Sequence, residues 1–156
     1  MAKNAPPSED ITREQFVALL NDDLAREYQA IIAYVVYSQV IKGAAFMNIA
    51  AELEKHAAEE LSHAILIAKQ IDYLNAEPTV TPKPVKMSDK PEALLRFDLD
   101  NEIQTIANYR QRIRQAESLG EFAISETLRE IIVQEQEHAT DLAQALGIDV
   151  PGIPKA

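Results

Sequence analysis

The 156-residue chain has no cysteine and no tryptophan, only four glycines, 47% hydrophobic residues and a formal net charge of −10. The missing cysteines exclude disulfide scaffolds, cysteine-based zinc sites, rubredoxin-type iron centres and iron–sulfur clusters, and the apolar content argues against disorder. The acidic balance lacks the cations that neutralise phosphates, so no nucleic-acid partner is expected, and the scarcity of glycine favours long helices over a sandwich or barrel.

Residues 1–11 read as a flexible tail with Pro6-Pro7 and polar neighbours, lacking the apolar segment of a signal peptide. No apolar run approaches the roughly 20 residues of a membrane span. A cytoplasmic protein without a membrane partner is therefore expected, which suits the absence of cysteine. Thr12 followed by Gln15 forms a candidate capping box. From there a helical pattern runs to about Lys42, with Phe16, Leu19, Leu20, Leu24, Ile31, Val35 and Ile41 mostly three or four apart. Gly43 is its stop signal. A second helix is predicted over about Ala44–Leu74 on the stripe Ile49, Leu53, Ala57, Ala64, Ile67 and Ile71. Both helices approach roughly 30 residues, about 45 Å.

Asn75–Lys90 carries Pro78, Pro82 and Pro84 without apolar periodicity and reads as a linker. Extended, it reaches about 50 Å, enough to run the length of a neighbouring helix. The third helix is expected to start near Pro91, with Ser88 or Asp89 as cap, and to end at Gly120. The fourth runs from Glu121 to Leu146, with Gly147 as stop and a short tail, residues 148–156, beyond it. The expected fold is all-α: one four-helix domain over residues 12–147 with a long crossover between the second and third helices.

Two stretches carry the chemistry. Glu60-Leu-Ser-His63 and Glu135-Gln-Glu-His138 both read E-x-x-H, and each has a glutamate at the same distance upstream, Glu27 for the first and Glu102 for the second. Glu27/Glu102, Tyr34/Tyr109, Glu60/Glu135 and His63/His138 all share one sequence offset, the mark of an internal repeat with pseudo-twofold symmetry. The midpoint of Glu27 and Glu60 falls at the Gly43 turn, and that of Glu102 and Glu135 beside Gly120. In antiparallel hairpins all four glutamates then lie at one depth, about 25 Å from the turns. Positions i and i+3 share a helix face, so each Glu and His of E-x-x-H points into one volume.

Several buried carboxylates repel one another, and two divalent cations remove the problem: four carboxylates supply −4 and two ions +4, with two neutral imidazoles completing the set. A lone E-x-x-H is commonly a solvated surface pair; the matched depth and spacing of four elements point to a two-metal site. His56, one turn before Glu60, reads as a packed or partly exposed histidine in preference to a third metal ligand. Tyr34 and Tyr109 read as core aromatics whose hydroxyls need partners, with a ligand carboxylate as candidate for each. Glu59 and Glu137 point about 100° away from the motifs and read as surface or access-path residues.

This pattern resembles the ferritin-like superfamily, most closely the bacterioferritins, over roughly residues 14–146. The resemblance implies an intrasubunit di-iron centre, with Glu60 and Glu135 bridging two iron ions, Glu27 and His63 on one and Glu102 and His138 on the other. Manganese or zinc suits the same donors. It implies a ferroxidase that oxidises Fe²⁺ with O₂ or peroxide, possible iron storage, and a homo-oligomer between a dimer and a 12- or 24-subunit cage. The methionine that ligates haem in bacterioferritins falls at Leu61, and Met47 lies far away, so no haem is expected. The short C-terminal helix of large ferritin cages is missing from the pattern. Two further readings stand beside this one: a di-iron or Mn/Fe oxidase, oxygenase or peroxidase acting on a small molecule without storing iron, and a non-enzymatic helical protein with vestigial ligands or structural zinc.

Overall fold

The computed structural model describes residues 10–155, and its described residues contain four long helices and no strand. The N-terminal tail expected over residues 1–11 lies almost wholly outside them. The helices are α1 (Arg13–Val40), α2 (Met47–Tyr73), α3 (Pro91–Ser118) and α4 (Phe122–Leu146). The four-helix bundle expected from the sequence is the fold observed. No described helix is long and apolar enough to cross a membrane.

The helix ends follow local chemistry. The capping box is complete: Gln15 N–H donates to Thr12 Oγ1 at 3.1 Å, and Thr12 N–H donates to Gln15 Oε1 at 2.9 Å. α2 starts at Met47, later than the apolar pattern suggests. Gly43 takes φ +120°, and Ala44–Phe46 forms a 3₁₀ turn whose Phe46 N–H donates to the Gly43 carbonyl at 3.1 Å. The cap of α3 is Lys90, not Ser88 or Asp89: Pro91 takes the first helical position and holds the preceding residue extended (φ −101°, ψ 117°). Ser88 instead accepts the Lys90 N–H at 3.1 Å. Gly147 closes α4 in the left-handed region (φ 69°), where Ile148 N–H returns to the Ala143 carbonyl at 3.0 Å.

The crossover lies along α1. Thr79 N–H donates to Asn21 Oδ1 at 2.7 Å, Gln29 Nε2 donates to the Pro84 carbonyl at 2.7 Å, and Tyr37 donates to the Lys86 carbonyl. It therefore travels back up α1, and α3 begins at the far end of α1. As a result α1 runs antiparallel to α3, shown by the contacts Asp23–Arg112 and Tyr34–Glu102, and α2 antiparallel to α4, shown by Glu59–His138 and His56–Asp141.

The apolar core divides into two clusters. One holds Tyr37, Ile49, Leu53, Leu95, Leu99 and Leu142. The other holds Phe16, Leu20, Leu24, Ile71, Ile113 and Leu128. Each fully buried leucine or isoleucine contributes about 1.5–3 kcal/mol. Val35, read as part of the α1 stripe, is half exposed, because Ala33, Tyr34 and Tyr37 occupy the inward positions of that turn. Between the two clusters lies a buried polar layer.

Candidate metal centre

That layer contains all six residues singled out by the repeat. Glu27 comes from α1, Glu60 and His63 from α2, Glu102 from α3, and Glu135 and His138 from α4, and none is more than 3% exposed. His63 Nδ1 lies 3.7 Å from Glu27 Oε2, 3.3 Å from Glu60 Oε2 and 3.0 Å from Glu135 Oε1. His138 Nδ1 lies 2.9 Å from Glu60 Oε1, 3.6 Å from Glu102 Oε1 and 3.6 Å from Glu135 Oε2. Each imidazole thus faces three carboxylates, and Glu60 and Glu135 each turn one oxygen to either side. The donors form two groups, Glu27–Glu60–His63–Glu135 and Glu60–Glu102–Glu135–His138, within which the ligand atoms lie within 4.8 Å of one another.

The outer nitrogens fix the imidazole tautomers. His63 Nε2 donates to Gln134 Oε1 at 2.5 Å, and His138 Nε2 donates to Glu59 Oε2 at 2.5 Å. A carboxylate only accepts, so the Nε2 of His138 carries a proton and the lone pair of the neutral ring sits on Nδ1, facing inward. Glu59 is therefore half-buried and bound to His138, whereas the helical spacing alone places it at the surface. Its helix angle is as expected, but α4 packs close enough for the carboxylate to reach across. Glu137 is exposed. Tyr34 donates to Glu102 Oε1 at 2.5 Å, and Tyr109 donates to Glu27 Oε1. Each tyrosine holds the glutamate of the opposite helix pair.

The centre has the electrostatics of a site built for cations. Two like charges about 4 Å apart repel by about 4 kcal/mol at a near-surface dielectric, and more in an interior. Burial pushes Glu135 up to about 8, reinforced by Glu102 and Glu27, and pushes Glu60 well up, reinforced by Glu135 and Glu27. Burial also opposes ionisation of Glu102 and Glu27, yet the neighbouring Glu135, His138 and Tyr34 hold Glu102 down to about 2, and the neighbouring Glu60, His63 and Tyr109 lower Glu27. Burial disfavours both imidazolium ions, but the surrounding carboxylates outweigh it and raise His63 and His138. The raised groups lessen the negative charge of the cluster. Even so, Glu27 Oε2, Glu60 Oε1, Glu102 Oε2, Glu135 Oε2 and His138 Nδ1 are buried without a hydrogen-bond partner. Inward oxygen and imidazole donors left unsatisfied in this way fit two divalent ions.

The repeat extends further than the motifs. Asp23 and Asp98 are related by the same offset as Glu27 and Glu102, each one turn before a site glutamate and each buried. Their partners differ. Asp23 accepts Arg112 Nε at 2.6 Å and Nη2 at 3.1 Å, whereas Asp98 Oδ2 has no partner and burial raises its carboxyl well above the usual range. The position matching Arg112 is Tyr37. Sequence reasoning missed Asp23, Asp98, Arg112 and Gln134. The repeat offset was the available signal, since it also pairs Glu59 with Gln134.

Fold and site together define a four-helix bundle with a buried, paired Glu/His centre. The family model of the ferritin-like domain matches residues 17–149. A bacterial ferritin of Synechocystis sp. is 24% identical over 136 residues, 86% of this chain and 85% of that protein. The bacterioferritin of Brucella melitensis biotype 1 is 22% identical over 130 residues, 83% and 81% of the two chains. Among solved structures, a ferritin-like di-iron-carboxylate protein of Bacillus anthracis superposes with a TM-score of 0.83 at 29% identity, covering 86% of this chain and 96% of that one. The bacterioferritin of Rhodobacter capsulatus superposes at 0.78 with 22% identity, covering 86% and 84%. The chain belongs to the ferritin-like domain family.

Proposed function

We propose that this protein is a ferroxidase, which takes Fe²⁺ as substrate and oxidises it to Fe³⁺ at the six-residue centre. One observation carries the reading: two ligand groups share Glu60 and Glu135, with both imidazole Nδ1 atoms facing inward. Glu27 and His63 would hold one ion, Glu102 and His138 the other, with Glu60 and Glu135 between them. The two iron ions supply the electrons, two per O₂ reduced to peroxide or per peroxide reduced to water.

The residues of the chain do the rest. Glu60, Glu135, His63 and His138 release their protons as cations arrive. Tyr34 and Tyr109 hold Glu102 and Glu27 in place, and Glu59 and Gln134 orient the imidazoles. The two apolar clusters keep water out from above and below. Manganese or zinc fits the same donors. No haem is proposed, because Leu61 offers no ligand.

Iron storage in a cytoplasmic homo-oligomeric cage extends this reading. Aerobic Fe²⁺ addition to the purified protein, with its size measured on the same sample, tests it. Oxidation far beyond two ions per chain in a large hollow oligomer is expected. Turnover that stops at two per chain in a dimer would overturn storage, and no Fe²⁺ oxidation would overturn the ferroxidase.

An open cavity of about 440 Å³ reaching His63, lined by Ser62, Leu66, Ile131 and Val133 among others, favours a second reading. It offers room for a small organic substrate of a di-iron or Mn/Fe oxidase, oxygenase or peroxidase. Rapid peroxide consumption with slow iron turnover would select it.

A further inference from the structure

A further difference between the two halves of the bundle lies outside the central six residues. On the α2–α4 face, His56 is 2% exposed, and its Nε2 lies 3.1 Å from Asp141 Oδ2. Glu52 stands one turn before His56 on α2. Ligand atoms of Glu52, His56 and Asp141 lie within 4.8 Å of one another. Glu52 and Asp141 line an open cavity of about 420 Å³, together with Asn48 and Gln144. Both carboxylates are 41% exposed, so the group has one buried and two solvent-facing donors.

The internal repeat provides a control. The offset that carries Glu60 onto Glu135 relates Glu52, His56 and Asp141 to Thr127, Ile131 and Leu66. The fold is therefore satisfied by two apolar residues and a threonine at the equivalent place, and a buried imidazole there is not a requirement of packing. A buried imidazole with unsatisfied polarity costs stability, and His56 Nδ1 has no hydrogen-bond partner. The ring is held by the Asp141 contact and by stacking on His138, with centroids 4.1 Å apart and planes 28° apart.

We propose that Glu52, His56 and Asp141 form a third divalent-metal site, separate from the central six residues and open to solvent through the cavity at Asn48 and Gln144. One imidazole and two carboxylates are a donor set for a borderline first-row cation such as Fe²⁺, Co²⁺ or Zn²⁺, with the open side left to water. The ion takes the Nε2 lone pair of the neutral ring, whose single proton then sits on Nδ1, so the ring binds without losing a proton. Lys55 Nζ, which bonds Glu52 Oε1 at 2.7 Å, is exposed and gives way to the stronger cation. The site is a single ring thickness from His138, so an ion there waits beside the His138 half of the centre, while the His63 half has no counterpart.

Co²⁺ titration of the metal-free full-length protein tests the proposal, read by calorimetry and by the visible spectrum. The wild type is expected to bind three ions per chain. Asp141→Asn and Glu52→Gln, which leave the central six residues untouched, are expected to bind two. Glu102→Ala is expected to weaken central binding while the third ion remains, so failure of the central site and failure of this one are distinguishable. Wild-type binding that ends at two ions, or three ions retained in both Asp141→Asn and Glu52→Gln, overturns the third site.

Discussion

Tyr34 on α1 donates to Glu102 on α3 at 2.5 Å, so an aromatic of the first repeat fixes a ligand of the second. Tyr109 does the same for Glu27. Removing either hydroxyl frees a carboxylate to rotate. Tyr34→Phe is expected to weaken metal binding on the Glu102 side by about 10–100-fold while the fold persists. Calorimetric titration with Zn²⁺ checks this, and unchanged affinity in both Tyr34→Phe and Tyr109→Phe would show that the hydroxyls only satisfy each other's surroundings.

Glu59 and Gln134 occupy equivalent places, one a carboxylate and one an amide, and both accept an imidazole Nε2 proton. The amide at Gln134 shows which property matters, namely an acceptor. Glu59→Gln is therefore expected to keep metal affinity close to that of the wild type, while Glu59→Ala is expected to lose about 10–100-fold. Equal loss in the two variants would point to the negative charge instead.

Asp23 and Arg112 form a buried two-pronged ion pair, 2% and 3% exposed. Arg112→Leu leaves the carboxylate without a counterion and is expected to cost about 3–5 kcal/mol at neutral pH. Burial already lifts the Asp23 carboxyl to about 6 against the pull of Arg112. The variant is therefore expected to recover part of its stability in mild acid, where Asp23 takes a proton. Urea denaturation at pH 5 and pH 7.5 reads both effects, and a cost that does not shrink in acid would contradict a buried, uncompensated charge.

The raised groups of the centre have a definite consequence for the stability of the protein when no metal is bound. Glu135, raised to about 8, together with Glu60, His63 and His138, has a folded pKa above its unfolded one. Such groups stabilise the fold below the unfolded value, and that contribution disappears as pH climbs through the folded value. The metal-free protein is expected to lose thermal stability as pH rises from about 5 to about 8, the span between the unfolded and folded values of Glu135. Glu102, held at about 2, acts in the opposite sense, and its share is lost only in strong acid. Zn²⁺ replaces the protons and is expected to flatten the alkaline fall. A metal-free Tm that stays level or rises over this range would contradict the proton inventory.

The bundle was legible because its signals are local: apolar spacing, the Thr12–Gln15 box, Pro91, and the glycines at the hairpin turns. The six inward donors were legible because the repeat matched them in depth as well as type. What the sequence concealed depends on distances across helices. Glu59 points away from Glu60 along α2, and only the close approach of α4 brings it to His138. Lys90 caps α3 in place of Ser88 or Asp89 because Pro91 dictates the backbone of its neighbour. His56 read as a packed residue, and it is packed; the partner that makes it more than that, Asp141, lies far along the chain on α4.

The central claim is that the six residues hold two ions between them. Anomalous diffraction from crystals soaked anaerobically in Fe²⁺ tests it most directly. Two iron peaks are expected inside the bundle, one beside Glu27 and His63, the other beside Glu102 and His138, with Glu60 and Glu135 touching both. A bundle interior without iron at saturating Fe²⁺, or peaks unchanged in Glu60→Ala and Glu135→Ala, would contradict it.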